Sequence, residues 1–284
     1  MEMNRNPFII RGIHELHMEI GEHGYVRADP LWWKKSGVCS PFSRLYLVTA
    51  GTGWLRIGEQ ICRLCPGYAY LVPAGLLFDF GCEDYIEKLY FHIYLTKPDG
   101  YDLAQGLSKV ADWPMEDGWL ERMTALYQSD RWLDAMELKS GIYDILIRLL
   151  AQYPEKNEPL PHYSPLVDQG MRYIREHLAA RIGAGELAAA LYVSESVLTR
   201  AFQQEVGKTV RQYGEDMVFA EAQRRLLETD EPLAVISDAL GFCDQFYFSR
   251  RFRQRHGESP RSYRDRLRTA EGMLRPITGS LKPE

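Results

Sequence analysis

No apolar stretch of this 284-residue chain approaches the roughly 20 residues that cross a bilayer; the longest, such as Leu45–Ala50 and Ile145–Leu150, fall far short. A membrane partner is therefore not expected. Met1–Gly12 holds no apolar signal-peptide core, which makes the cytoplasm the expected compartment. Cysteine is scarce: Cys39, Cys62, Cys65, Cys82 and Cys243 form an odd set, and no second pair complements Cys62-x-x-Cys65 at zinc-site spacing. Buried free thiols are expected, not a disulfide framework. Positive charge is also lacking, since the net charge of −5 opposes non-specific polyanion binding by the whole molecule. What is present is ordinary globular usage, 45% apolar and 26% charged, over a length that suits two domains.

The charge is unevenly spread. Residues 1–160 carry 16 Lys+Arg against 22 Asp+Glu, whereas residues 161–284 carry 18 against 17. Within Gln245–Arg268 eight arginines face only Glu258 and Asp265, so one end of the second half is a concentrated positive surface. A boundary falls at Tyr153–Pro165, where four prolines in 13 residues forbid helix and favour a stiff extended linker.

Before that boundary, Leu45–Thr49, Trp54–Ile57, Tyr68–Val72, Leu76–Phe80 and Lys88–Leu95 are short β-branched or aromatic runs. Turn signals separate them at Ala50–Gly53, Pro66-Gly67 and Pro73-Ala74-Gly75. The pattern predicts a small antiparallel barrel or sandwich. From Trp119 the period becomes helical, through Leu120, Met123, Leu126 and Tyr127 and then Leu138, Ile142, Ile145, Leu146, Leu149 and Leu150. The second of these helices is apolar over a wide arc near its end. A homodimer seam and plain core packing both account for that arc.

The second half reads as helix throughout. Leu166–Leu178 is followed by breaks at Gly183 and Gly185, then by Glu186–Leu191 and Glu195–Val206, joined tightly enough for helix-turn-helix geometry. The pattern recurs with Leu233–Leu240, a turn at Gly241 and a helix near Asp244–His256. Arg200-Ala-Phe202 and Arg250-Arg-Phe252 lie 50 residues apart at equivalent places, and Val210–Leu227 reads as a long connecting helix.

These residues resemble the AraC/XylS family of transcriptional regulators. The resemblance rests on Glu186-Leu-Ala188, Ser194-x-x-x-Leu198-x-Arg200-x-Phe202, Gly207 and Arg224-Arg-Leu-Leu227. It continues through Ile236-Ser-Asp-Ala-Leu-Gly-Phe242-Cys-Asp244-Gln-Phe-Tyr-Phe248-Ser-Arg250-Arg-Phe252 and His256-Gly257-x-Ser259-Pro260-x-x-Tyr263-Arg264. It implies an α+β multidomain chain: an N-terminal cupin-like antiparallel β-barrel with flanking helices (1–152), the linker 153–165, a C-terminal all-α domain with two helix-turn-helix motifs (166–272) and a tail (273–284). Double-stranded DNA is the implied partner.

In the second motif Ile236, Leu240, Phe242, Phe248 and Phe252 hold the helix pair together, leaving Gln245, Phe246, Tyr247, Arg250 and Arg251 for the surface. Gln suits adenine, Arg guanine, and an aromatic edge a thymine methyl. Glu195, Ser196, Thr199 and Arg200 are the outward candidates of the first motif. Lys208 and Thr209, and Ser259 with Arg261 at a helix start, suit phosphates. Where the family usually places a turn glycine this chain has Tyr192, and positive φ there would cost about 1–2 kcal/mol, so a remodelled turn is one expectation.

Residues from about Ile10 to Leu95 resemble the cupin-like effector domain of many members, through Gly51-x-Gly53, Pro66–Gly75 and Tyr90-Phe91-His92. A metal-dependent cupin needs a His-x-His pair with a later carboxylate and His. That set is not found: His14 and His17 are three apart, and Leu76-Leu77-Phe78 stands where the usual His would be. No metal, cofactor or catalytic residue is expected. Aromatic walls with one Arg and one His suit a sugar ring, which marks Arg44, Tyr46, Phe78, Phe80, Tyr90 and His92, with Trp32 as a lid; the same residues would equally serve as barrel filling. The expected function is a homodimeric, ligand-responsive transcription factor, an activator by the family's commoner habit, with RNA polymerase as a further candidate partner. The alternatives are a constitutive DNA-binding regulator whose barrel only dimerises, and a cupin-type isomerase or dioxygenase.

Overall fold

The computed structural model describes residue 13 and residues 16–31, 33–153, 163–179 and 182–271. It divides into two compact units, one built from His17–Leu95 and Asp102–Glu158, the other from Pro159–Arg268 together with Thr96–Tyr101. Thr96–Tyr101, expected within 1–152, thus groups with the helical residues. Residues 154–162 of the expected linker and the tail 273–284 lie outside the described residues, as do His14 and Trp32. No helix among the described residues is long and apolar enough to cross a membrane.

The first unit is a seven-stranded antiparallel sheet followed by two helices. Its strands are β1 (His17–Ala28), β2 (Lys34–Cys39), β3 (Ser43–Ile57), β4 (Gln60–Leu64), β5 (Tyr68–Val72), β6 (Leu77–Thr96) and β7 (Ala111–Pro114). They order as β1-β6-β3-β5-β7, with β2 added to β6 and β4 to β3. The segments expected as separate strands at Leu45–Thr49 and Trp54–Ile57 are one strand. The supposed turn between them is a pair of register shifts, between Val48 and Ala50 and between Gly51 and Gly53. Gly51 holds φ 66°, and a Cβ there would stand 2.2 Å from the Tyr85 carbonyl oxygen, so only glycine lets the ladder bend without breaking. Leu76–Phe80 and Lys88–Leu95 likewise fall within β6, apart from Leu76, because β3 pairs along most of it. Two long bent strands thereby curl the sheet.

The β3–β6 register pairs Arg44 with His92, Tyr46 with Tyr90 and Val48 with Lys88, all on one face. Leu45, Leu47, Leu89 and Phe91 alternate onto the other. Helix α1 (Trp119–Tyr127) places the Tyr127 ring 6.1 Å from Phe91. Helix α2 (Trp132–Leu150) buries Ile142, Ile145, Leu146 and Leu149. The sheet is therefore buried on both faces, and each fully enclosed Leu or Phe contributes roughly 1.5–3 kcal/mol. All five cysteines are free, but Cys82 alone is buried and Cys243 is exposed, so the expectation of buried thiols holds at one position.

The second unit contains α3 (Pro165–Glu176), α4 (Ala184–Ala190), α5 (Glu195–Glu205), α6 (Val210–Glu228), α7 (Leu233–Ala239), α8 (Gln245–His256) and α9 (Pro260–Glu271). Gly183 is the N-cap of α4 and Gly185 lies inside it, so only the first of the two expected breaks falls outside a helix. Val167, Met171, Ile174, Leu187, Leu198, Phe202, Val210 and Tyr213 form one core. Phe219, Phe242, Phe248, Phe252 and Tyr263 form a second, with neighbouring ring centroids 5.1–6.2 Å apart. Burial drives the His256 pKa down to about 4, so its ring joins the second core as a neutral group. Helix α6 supplies Val210 and Tyr213 to the first core and Phe219 to the second. Nineteen residues long, or about 28 Å, it links the motifs as a rigid rod.

Candidate nucleic-acid interface and ligand pocket

The turns of the two motifs are built alike. After α4 the amides of Leu191, Tyr192 and Val193 donate to the carbonyls of Leu187, Ala189 and Ala188. After α7 those of Leu240, Gly241 and Phe242 donate to Ile236, Asp238 and Ser237, the same pattern 49 residues on. Tyr192 therefore occupies the place of Gly241, and its φ of 56° matches the glycine's 69°. The backbone keeps its course and the tyrosine takes the strain. Its side chain is 96% exposed. Each turn then ends in an N-cap: the Ser194 hydroxyl accepts the Val197 amide, and the Asp244 carboxylate accepts those of Phe246 and Tyr247.

Beyond the caps α5 and α8, the second helices of the two motifs, carry one burial pattern offset by 50 residues. Leu198 and Phe202 are buried in α5, as are Phe248 and Phe252 in α8. Glu195, Ser196, Arg200, Gln203 and Gln204 face solvent, and so do Gln245, Phe246, Arg250, Arg253 and Gln254. These positions recur every three to four residues, so each set is a single stripe along its helix. Glu195, Ser196, Thr199, Arg200, Gln203 and Gln204 lie together on the open surface of α5. Phe246 is 69% exposed, unusual for so large an apolar side chain. The sequence reading named the first turn and a half of each stripe and stopped short of Gln203, Gln204, Arg253 and Gln254. Continuing the helical period would have reached them.

Other expected contacts are occupied within the unit. The Arg251 guanidinium pairs with Glu215 of α6 at 3.0 Å and is 29% exposed, whereas Arg250 stays on the outer stripe, its guanidinium 5.8 Å from the Tyr247 ring centroid. Tyr247 is half-buried. Lys208 Nζ donates to Asp216 at 2.5 Å and to the Tyr101 hydroxyl at 2.8 Å; Arg255 also pairs with Asp216. Burial raises the Asp216 pKa, but the hydrogen bonds from Lys208, Tyr101 and Arg255 prevail and hold it below its usual range. The Thr209 amide and hydroxyl donate to the Gln212 side chain in a capping box. Ser259 caps α9 by accepting the Ser262 amide, and Arg261 is exposed beside it.

In the first unit the inner face of the sheet brings Arg44, Tyr46, Phe78, Phe80, Tyr90 and His92 together, all buried. Arg44 makes hydrogen-bond contacts to Ser40 at 2.8 Å and to His92 Nε2 at 3.0 Å; Tyr90 donates to Glu22 at 3.1 Å. Burial, with the nearby Arg44 charge, lowers the His92 pKa well below its usual value, and burial raises that of Glu22. The ring against Phe80 belongs to Trp33, with centroids 4.9 Å apart. Lys88 completes this face. It shares strand parity with Tyr90 and His92 and is absent from the residues that the sequence marks for this face.

Residues 187–266 match a helix-turn-helix domain family. Over 222 residues the chain is 34% identical to the arabinose operon regulatory protein of Escherichia coli (strain K12), a match covering 72% of this chain and 74% of that one. The chain belongs to the AraC/XylS family. It is a DNA-binding transcriptional regulator. It is also 30% identical over 166 residues to the HTH-type transcriptional regulator YobQ of Bacillus subtilis (strain 168), covering 58% of this chain and 66% of YobQ, just under two thirds of that protein. Among solved structures, ToxT of Vibrio cholerae aligns with a TM-score of 0.47 at 10% identity, covering 88% of this chain and 98% of ToxT. The arabinose operon protein and YobQ both carry the names of regulators.

Within the AraC/XylS pattern Tyr192 is a departure with a measurable consequence. Tyr192→Gly should raise the stability of the helical unit by about 1 kcal/mol. It relieves a left-handed residue worth roughly 1–2 kcal/mol, less the extra freedom glycine gives the unfolded chain. Denaturant melts of the two proteins measure the difference; an unchanged or lower midpoint would mean that the tyrosine ring stabilises the fold.

Proposed function

We propose that this regulator reads its operator with the solvent-facing stripes of α5 and α8, laid in successive major grooves, and that a small molecule held against the inner face of the curled sheet controls that reading. The matched stripes 50 residues apart carry the proposal: identical burial at five register positions leaves side chains that suit base edges, Gln245 and Arg250 above all, pointing to solvent on both helices. Lys208, Thr209, Ser259 and Arg261 serve phosphates, Lys208 by exchanging Asp216 for the duplex. Arg251 braces α8 against α6.

The inner face of the sheet supports a ligand site because Arg44, Glu22, Tyr90 and His92 converge among aromatic rings. The printed name of the arabinose operon regulator makes a sugar the first ligand to try. Binding changes the domain arrangement and involves no chemistry on the ligand, and the protein works in the cytoplasm. A homodimer is supported by α2, where Trp132, Leu133, Met136 and Ile147 are exposed. Activation through RNA polymerase completes the reading.

Titration calorimetry against a sugar panel, paired with operator-binding isotherms, tests the control. The expected outcome is heat from one compound together with a shift in operator affinity. Saturable DNA binding that no compound alters would favour the constitutive regulator.

A further inference from the structure

The inner face of the sheet holds a lysine with an unusual environment. Lys88 is 1% exposed, and its Nζ lies 3.7 Å from the ring centroids of both Trp33 and Tyr46. No carboxylate or hydrogen-bond acceptor among the described residues is paired with it. The charged and titratable groups around it are Arg44, His92 and Cys82, of which Arg44 is permanently cationic; Glu22 bonds Tyr90, lies 3.8 Å from His92 and feels the Arg44 charge, but is not paired with Lys88. Ring faces replace part of the hydration an ammonium loses on burial, but not its hydrogen bonds.

Resting on the reading of this face as the effector site, we infer that the effector is a small organic carboxylate whose anionic oxygens pair with Lys88, with Arg44 as the neighbouring second cation and the aromatic rings holding the ligand's body. A neutral sugar supplies no anion to either Lys88 or Arg44. A carboxylate answers both. Burial and the Arg44 charge hold Lys88 well below its usual range, and an anion beside it favours the ammonium. A proton that Lys88 takes up as the carboxylate binds comes from solvent.

The test is calorimetry on the full chain at pH 8 with matched pairs, benzoate against benzamide and arabinonate against arabinose, in two buffers of different ionisation enthalpy. The inference predicts that in at least one pair the acid binds ten-fold or more tightly and takes up a proton. Lys88→Met should erase both the preference and the uptake without lowering the melting temperature, because the apolar side chain fills the space between the rings at no desolvation cost. Equal or tighter binding of the neutral member, or a preference that survives Lys88→Met, overturns the inference and leaves the effector reading standing. A Lys88→Met protein that melts several degrees lower shows a structural clamp and overturns it too. No heat from any of the four compounds overturns the inference, while the effector reading is decided by the sugar panel.

Discussion

Phe252→Ala is expected to cost about 3–5 kcal/mol in the stability of the helical unit, the usual penalty for emptying a fully buried phenylalanine site. Phe252 lies at the centre of the second core, its ring centroid 4.4 Å from His256, 5.3 Å from Tyr263, 5.8 Å from Phe248 and 6.2 Å from Phe219. Four rings on α6, α8 and α9 therefore lose a common neighbour at once, and α8 loses the residue that fixes its rotation. Denaturant unfolding measures the cost. The equivalent Phe202→Ala should do the same to the first core, where Phe202 is likewise fully buried. A penalty under 1 kcal/mol for Phe252→Ala would mean that the rings do not hold the second motif in place.

Arg250→Ala should weaken binding to the preferred duplex by about 1–3 kcal/mol and relax the choice of base at one position, the expected loss for a base-reading arginine. Random-sequence DNA should lose little. Lys208→Ala supplies the contrast. A phosphate contact adds affinity without selecting sequence, so its removal should weaken all duplexes alike and reduce the salt slope by about 1. Asp216 already holds Lys208, so part of the phosphate's attraction is spent in exchanging partners, and the uniform loss should be small. Competition binding with specific and scrambled duplexes at two salt concentrations separates the two roles. An Arg250→Ala protein that loses equally on both duplexes would make Arg250 a phosphate contact.

The double motif was legible in the sequence because its signals are local and repeated. Leu198, Phe202, Phe248 and Phe252 mark the buried face of each reading helix, and the 50-residue offset exposes the repeat. The strands were less legible. Gly51 and Gly53 look like a turn when read along the chain, and only the pairing of β3 with β6 shows them to be bulges within one strand. The destinations of Arg251 and Lys208 were not legible from their own neighbourhoods. Arg251 finds Glu215, 36 positions away, and Lys208 finds both Asp216 and Tyr101, the latter 107 positions away. Tyr192 was read correctly as a conflict, but sequence could not say whether turn or residue would yield. The conserved hydrogen-bond pattern shows that the turn prevailed, since its remodelling would have displaced Val193 and the Ser194 cap. On the sheet, strand parity groups Tyr90 with His92 and Arg44 with Tyr46, but the inward placing of Tyr90 and His92 follows from the family resemblance, and Lys88, of the same parity, is marked by neither.

The central claim is that α5 and α8 act as a pair on one duplex. Selection from a randomised oligonucleotide pool, at low ionic strength and with candidate effectors added, tests it most directly. The account predicts an enriched sequence with two conserved blocks whose centres are about one helical turn apart, roughly 10 base pairs. It also predicts that Arg250→Ala degrades only one of the blocks. Enrichment of a single block, or of no sequence at all, would contradict it.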